Sequence, residues 1–180
     1  VRTQQGDFYR VFTPFKKSWL TTLRDAGGAE PAPTPSRQPE TGVKADSVPK
    51  QIKGFDLDKG RPDLWQAGED HAASRLDAFI ERRIDRYKDD RDAPSTNGTS
   101  TLSPYLTMGV ISPRQCLAEA VIAAGGTMPG PKDRGGPATW ISELIWREFY
   151  KHLIFGMPRL SKNQPMKLET RKLKWRDSKK

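Results

Sequence analysis

One cysteine, two histidines and no long apolar run are the scarcest features of this 180-residue sequence. The single thiol, Cys116, excludes an internal disulfide and a zinc site built from cysteines. It falls in an apolar helical pattern, where a free cysteine packs as a small hydrophobe. His71 and His152 lack ligand partners at metal spacing, so no metal site is expected and both histidines read as surface or packing residues. No apolar stretch approaches the roughly 20 residues that cross a bilayer, which argues against a membrane partner. The first residues lack the charged-then-apolar pattern of a secretion signal, and a soluble, cytoplasmic chain is expected. Also missing are a glycine-rich dinucleotide fingerprint after a strand and a phosphate loop ending in Lys-Ser/Thr.

What is present is polar and basic. Hydrophobic residues make up 34% of the chain and charged residues 29%, which suits a modest core plus an extended stretch. The length fits one domain or parts of two. The net charge of +9 is unevenly placed, because residues 144–180 hold eleven Lys or Arg against Glu148, Glu169 and Asp177. Such a basic end suits a polyanion, since each neutralised phosphate releases condensed counterions. It equally suits a solubilising tail, and charge alone does not separate the two.

Along the chain, Phe8-Tyr9-Arg10-Val11-Phe12 reads as a short strand ended by Pro14, which lacks a backbone donor. From Gly27 to about Gly60, Pro31, Pro33, Pro35, Pro39 and Pro49 recur without apolar periodicity, as in a linker. Leu76, Ile80, Ile84 and Tyr87 share one face, predicting an amphipathic helix over 69–88. Ser103-Pro104 opens a short helix. Ser112-Pro113-Arg114-Gln115 forms a capping box leading into an apolar face of Leu117, Val121 and Ile122, stopped by Gly125-Gly126. Residues 138–155 make the longest apolar helix, ended by Gly156 and Pro158. The faces Leu76–Ile80–Ile84 and Ile141–Ile145–Phe149 are expected to need partners from outside the chain.

Two stretches can carry chemistry. The loop Asn97-Gly98-Thr99-Ser100-Thr101-Leu102-Ser103 runs into a helix amino terminus, offering hydroxyls and free N–H groups to a phosphate; ordinary capping by Ser103 is the alternative. In the helix from Thr139 to Tyr150, helical spacing puts Trp140, Glu143, Arg147 and Tyr150 on one face, bordered by Trp146. That wall can stack a flat ring and hydrogen-bond its edge. The competing reading is a Glu143–Arg147 surface pair beside packed tryptophans, worth a few tenths of a kcal/mol.

Several stretches, taken in order, resemble the photolyase/cryptochrome family. Tyr9-Arg10-Val11-Phe12-Thr13-Pro14-Phe15 with Trp19 is similar to the exit of that family's amino-terminal α/β domain. Gly68-Glu69 through Ala72, Arg75 and Leu76 is similar to the start of its helical flavin domain. Tyr87, Arg91-Asp92, Gly98-Thr99-Ser100, Leu102-Ser103-Pro104-Tyr105-Leu106, Gly109 and Ile111-Ser112-Pro113-Arg114 resemble its first flavin-binding stretch. Trp140 with Glu143-Leu144-Ile145-Trp146-Arg147-Glu148-Phe149-Tyr150 resembles its second.

The resemblance implies a mostly α fold: part of a helical FAD-binding domain over 68–180, a linker over 28–67, and over 1–27 the remnant of an α/β antenna domain with its last strand. It implies light-driven repair of cyclobutane pyrimidine dimers in DNA by electron transfer from reduced FAD, a lyase activity of a longer, monomeric protein. The nearest branch is the class I enzyme. Tyr87, Thr99, Ser100, Thr101, Leu102, Ser103, Trp140 and Arg147 would hold FAD. Glu143 and Trp146 would be catalytic and, with Arg147 and Tyr150, would contact DNA. A folate- or deazaflavin-type antenna pigment would bind outside this chain, as would the acidic flavin contacts and relay tryptophans, which lie past Trp175-Arg176-Asp177. A cryptochrome-like blue-light receptor shares these features but tends to lose Glu143 and Trp146. A basic helical DNA-binding module without catalysis is the reading that sets the resemblance aside.

Overall fold

The aromatic residues Phe12, Phe15 and Trp19 fall at i, i+3 and i+7, one stripe of a helix, and the chain folds accordingly. Helix α1 runs Phe12–Asp25, with Pro14 in its first turn, where no amide donor is needed. The strand expected over 8–12 does not form, and no strand occurs among the described residues. The local β-propensity of Phe-Tyr-Arg-Val-Phe loses to burial of that stripe against the longest helix. These coordinates are a computed structural model that describes residues 1–28, 30–33, 35–37, 39–40, 42–44, 46–47, 49–54 and 64–174. Trp175, Arg176 and Asp177, and part of the expected linker, lie outside the described residues.

Five further helices follow: α2 (Glu69–Arg82), α3 (Tyr87–Asp90), α4 (Ser103–Met108), α5 (Pro113–Ala123) and α6 (Gly136–Gly156). Two 3₁₀ turns close the described chain, at Pro158–Lys162 and Leu168–Lys172. Helix α6 is the hub, with α1, α3, α5 and the first 3₁₀ turn packed on it and α2 packed on α5. Phe15, Phe79, Ile84, Leu102, Cys116, Ile141 and Ile145 are enclosed in one core. Burying such a side chain is worth roughly 1.5–3 kcal/mol. Of the apolar faces expected to need outside partners, Leu76, Ile84, Ile141, Ile145 and Phe149 lie in this core, and Ile80 packs against it partly buried. The large hydrophobics left in solvent include Met108, Ile122, Tyr150, Ile154 and Phe155.

The helix expected over 69–88 breaks after Arg82. The N–H groups of Arg83 and Ile84 both donate to the Phe79 carbonyl at 3.0 Å, which closes α2 before α3 begins. Neither glycine nor proline marks the break. Its cause is tertiary: Gly136, at the start of α6, lies against the Ile84 and Asp85 carbonyls, where a Cβ would overlap them. The capping box forms as expected, Ser112 Oγ accepting from the Arg114 N–H and Gln115 Oε1 from the Ser112 N–H. Helix α5 buries Cys116, Leu117 and Ala120, leaving Ile122 in solvent. Gly125 and Gly126, both at positive φ, end it. Among the described residues between Asp25 and Glu69 there is no helix, in line with the proline-rich reading.

Candidate functional site

Helix α6 carries the wall expected from the sequence, and its members divide into buried and half-open groups. Trp140 is enclosed, packed at 4.9 Å on the Phe79 ring. Arg147 Nη2 donates to the Leu106 carbonyl at 2.9 Å, tying α6 to α4, and Nη1 meets Glu148 Oε1 at 3.2 Å. The expected Glu143–Arg147 pair does not form. Glu143 reaches instead to Arg91, just past α3, whose Nη1 donates to Oε1 at 2.5 Å. The bond raises the Arg91 pKa, offset in part by burial. Both side chains are about one-third exposed, and Glu143 lines an open cleft that a ligand can reach.

Trp146 is half-buried one turn further on. Phe12 lies flat on the indole, ring centroids 3.6 Å apart and planes within 7°. Tyr150 is 5.6 Å away at 26°, and Phe149 meets the indole edge-on. Tyr150 is exposed.

Beside Glu143 runs an open cleft between α1 and the segment leading into α6. Lys16, Lys17, Lys132 and Arg134 line it with Thr13, Thr139 and Ser142, against Asp133 and Glu143 as the acids. Lys16 Nζ donates to Ser142 Oγ at 3.2 Å. Burial and the neighbouring Arg134 push the Lys16 ammonium pKa down, while Asp133 and Glu143 pull it up. Four cations around one cleft suit a phosphate backbone. Sequence reading missed this group, because its members come from residues far apart in the chain. The charge it did find, in the carboxyl-terminal end, is partly structural: Arg159 donates to the Pro165 and Met166 carbonyls and folds its own loop.

The hydroxylic loop is the second part of the site. Gly98 packs on the Asp90 backbone so tightly that a Cβ would not fit. Thr101 holds φ at 52°, and its Oγ1 accepts from Arg75 Nη1 at 2.6 Å. Its carbonyl accepts from Trp65 Nε1 at 3.0 Å. Arg83 donates to Asn97 Oδ1 at 2.8 Å, so two guanidinium groups bracket the loop. Burial lowers the Arg83 pKa, and the nearby Arg75 adds to it. Helix α4 has no side-chain cap, so Ser103 does not cap it as the alternative reading required. Thr99 and Ser103 are exposed, Ser100 and Thr101 half-buried, and Leu102 enclosed. This donor set fits a diphosphate. Tyr87 and Trp140, expected at the same cofactor, are core residues with Phe79 between them. Burial raises the Tyr87 phenol pKa and keeps it neutral.

Two further groups lie apart from these. Cys116 is fully buried, its thiol pushed up to about 11, which makes it a packing residue. His152 sits among Phe8, Phe15 and Phe149. No group of three or more metal-ligating side chains occurs among the described residues. Among the described residues no helix is long and apolar enough to cross a membrane.

No protein-family model matches the chain. Curated proteins do, along nearly its whole length. It is 37% identical over 175 residues to a deoxyribodipyrimidine photo-lyase of Vibrio cholerae, covering 97% of this chain and 36% of the relative. The Escherichia coli protein of the same name is 34% identical, covering 99% of this chain and 36% of its own. The chain thus spans about a third of the length of the curated relatives it matches. Among solved structures, a bacterial class III photolyase from Agrobacterium tumefaciens superposes with a TM-score of 0.63 at 28% identity, over 98% of this chain and 36% of that one.

Proposed function

We propose that this chain, a homologue of the deoxyribodipyrimidine photo-lyases along nearly its whole length, provides the lesion-facing helix and the phosphate loop of a flavin-dependent, cytoplasmic enzyme that repairs cyclobutane pyrimidine dimers in DNA. The observation that carries the reading is one flank of α6. There a half-open indole, Trp146, stands one turn from an accessible carboxylate, Glu143, beside a cleft lined with four cations. An aromatic platform replaces the stacking that a flipped-out base loses. The cations suit the phosphates on either side of it.

Glu143 accepts from Arg91, so in this pairing it serves as an acceptor for the imide N–H of a pyrimidine. A pyrimidine also presents carbonyl oxygens, which need a donor and not a carboxylate. Arg91 is better suited to such a carbonyl, since its Nη2 carries donors not used by Glu143. A guanidinium beside the pyrimidine oxygens would stabilise negative charge arriving on the dimer. The loop from Thr99 to Ser103, bracketed by Arg75 and Arg83, would hold the FAD diphosphate. When bound and reduced, FAD would supply the electron that opens the cyclobutane ring. Trp140 and Arg147 would act from behind, by fixing α6 against Phe79 and α4.

Two measurements test the reading. Purified full-length protein carrying this segment should show a visible flavin absorbance band. It should also bind duplex holding one pyrimidine dimer more tightly than the matched undamaged duplex. A protein with no flavin band and no preference is a basic DNA-binding module instead. One with flavin but no preference is a photoreceptor.

A further inference from the structure

A flat ring offers two faces, and one face of Trp146 is already taken. Phe12 covers it at 3.6 Å with planes 7° apart, a closer and more parallel stack than the other ring pairs in the described chain. Phe12 is also edge-on to Phe149 at 5.8 Å, so its own ring is fixed from the side. The helix carrying it is anchored to α6 at two further points. Phe15 packs on Phe149 at 5.1 Å, and Lys16 Nζ donates to Ser142 Oγ. Phe12 is therefore presented by a docked helix and not by a loose terminus.

We infer that Phe12 is a positioning residue for Trp146: it seals the rear face of the indole and holds the ring plane, so that the face turned away from Phe12, with Tyr150 5.6 Å from the indole, is presented to a flipped pyrimidine. The inference rests on the photolyase reading for the identity of the ligand, and on geometry alone for the stack. Its physical basis is that a half-exposed indole with open space behind it can turn about two side-chain torsions. Each alternative orientation lowers the fraction of protein ready to bind and weakens apparent affinity by that fraction. Residues 1–27, read from the sequence as belonging to another domain, would then supply part of the lesion site.

The test compares Phe12→Ala, Phe12→Leu and Phe12→Tyr, each with Trp146 intact and with Trp146→Phe. Phe12→Leu keeps apolar volume without a flat ring, so it stays informative if the alanine variant melts early. Acrylamide quenching of tryptophan emission in the 180-residue chain reads the stack directly. Phe12→Ala and Phe12→Leu should raise quenching, Phe12→Tyr should not, and the rise should vanish with Trp146→Phe. In the full-length protein the same two substitutions should lower selectivity for dimer-containing duplex by about two- to thirteen-fold, as expected for a stacked pair of about 0.5–1.5 kcal/mol. Phe12→Tyr should restore it, and with Trp146→Phe the Phe12 substitutions should add little. Unchanged quenching in Phe12→Ala and Phe12→Leu overturns the inference. So does raised quenching with unchanged selectivity, which would make the stack mere packing. A full-length protein without any dimer preference, but with Trp146-dependent quenching, sinks the photolyase reading and leaves the stack established.

Discussion

Arg91 and Glu143, 52 residues apart in sequence, meet through a 2.5 Å hydrogen bond that joins the end of α3 to the exposed flank of α6. The bond fixes the carboxylate beside Trp146 and gives Glu143 a cationic partner that the helix alone does not provide. Each side chain is about one-third exposed, which limits what the pair adds to stability. A double-mutant cycle with Arg91→Ala and Glu143→Gln should give a coupling of about 0.5–1 kcal/mol in urea unfolding. Arg91→Ala should nonetheless weaken binding of dimer-containing DNA clearly, because it removes a donor from the site as well as a support. Additive stability effects with unchanged binding would show the pair to be incidental.

Gly136 makes a sharper prediction. A methyl group there would overlap the Ile84 and Asp85 carbonyls, with backbone on both sides of the contact. Gly136→Ala should therefore destabilise the chain by about 3 kcal/mol, the upper part of the range for overpacking. Gly125→Ala meets no atom and pays only for its positive φ of 89°, about 1 kcal/mol. Thermal melts of the two variants should rank in that order, and a Gly136→Ala melt equal to the parent's would contradict the close approach of α6 to residues 84–85.

His152 should make the fold acid-sensitive. Burial holds its pKa below the ordinary value of 6.5; Arg2 pushes the same way, and the Tyr9 backbone opposes them. Its Nε2 is buried and has no hydrogen-bond partner. A depressed folded pKa means that the unfolded chain takes up the proton first. The stability from keeping His152 neutral is thus complete above about 6.5 and lost as pH falls through the lower folded value. Unfolding by urea above and below that pH should show the drop, and His152→Phe should flatten it. An equal drop in His152→Phe would place the acid sensitivity elsewhere.

Much of the helical body is legible from local pattern. The capping box at Ser112, the glycine stop at Gly125-Gly126 and the apolar periodicity of α6 each depend on residues within one or two turns. Helix α1 is not legible in the same way, because aromatic and β-branched residues at 8–12 suit a strand until a helix is there to receive Phe12, Phe15 and Trp19. The end of α2 at Arg82 is set by a glycine more than fifty positions later. The candidate site divides likewise. Trp146 and Glu143 are found by helical spacing, whereas Arg91, Phe12 and the lysine-lined cleft join them only through the fold. Trp140 was expected in the open wall and is core, since its place on the helical wheel does not reveal that Phe79 packs over it.

The most direct test of the central claim is a titration of the full-length protein and its Trp146→Ala variant with matched duplexes, with and without one pyrimidine dimer, at two salt concentrations. Base–aromatic stacking of roughly 1–3 kcal/mol predicts that Trp146→Ala lowers selectivity for the dimer about five- to a hundred-fold while leaving affinity for undamaged duplex nearly unchanged. Charge removal at Lys17 or Lys132 should instead weaken both duplexes and reduce the salt slope. If Trp146→Ala lowers both affinities equally, Trp146 is a structural support and the flank of α6 is not the lesion site.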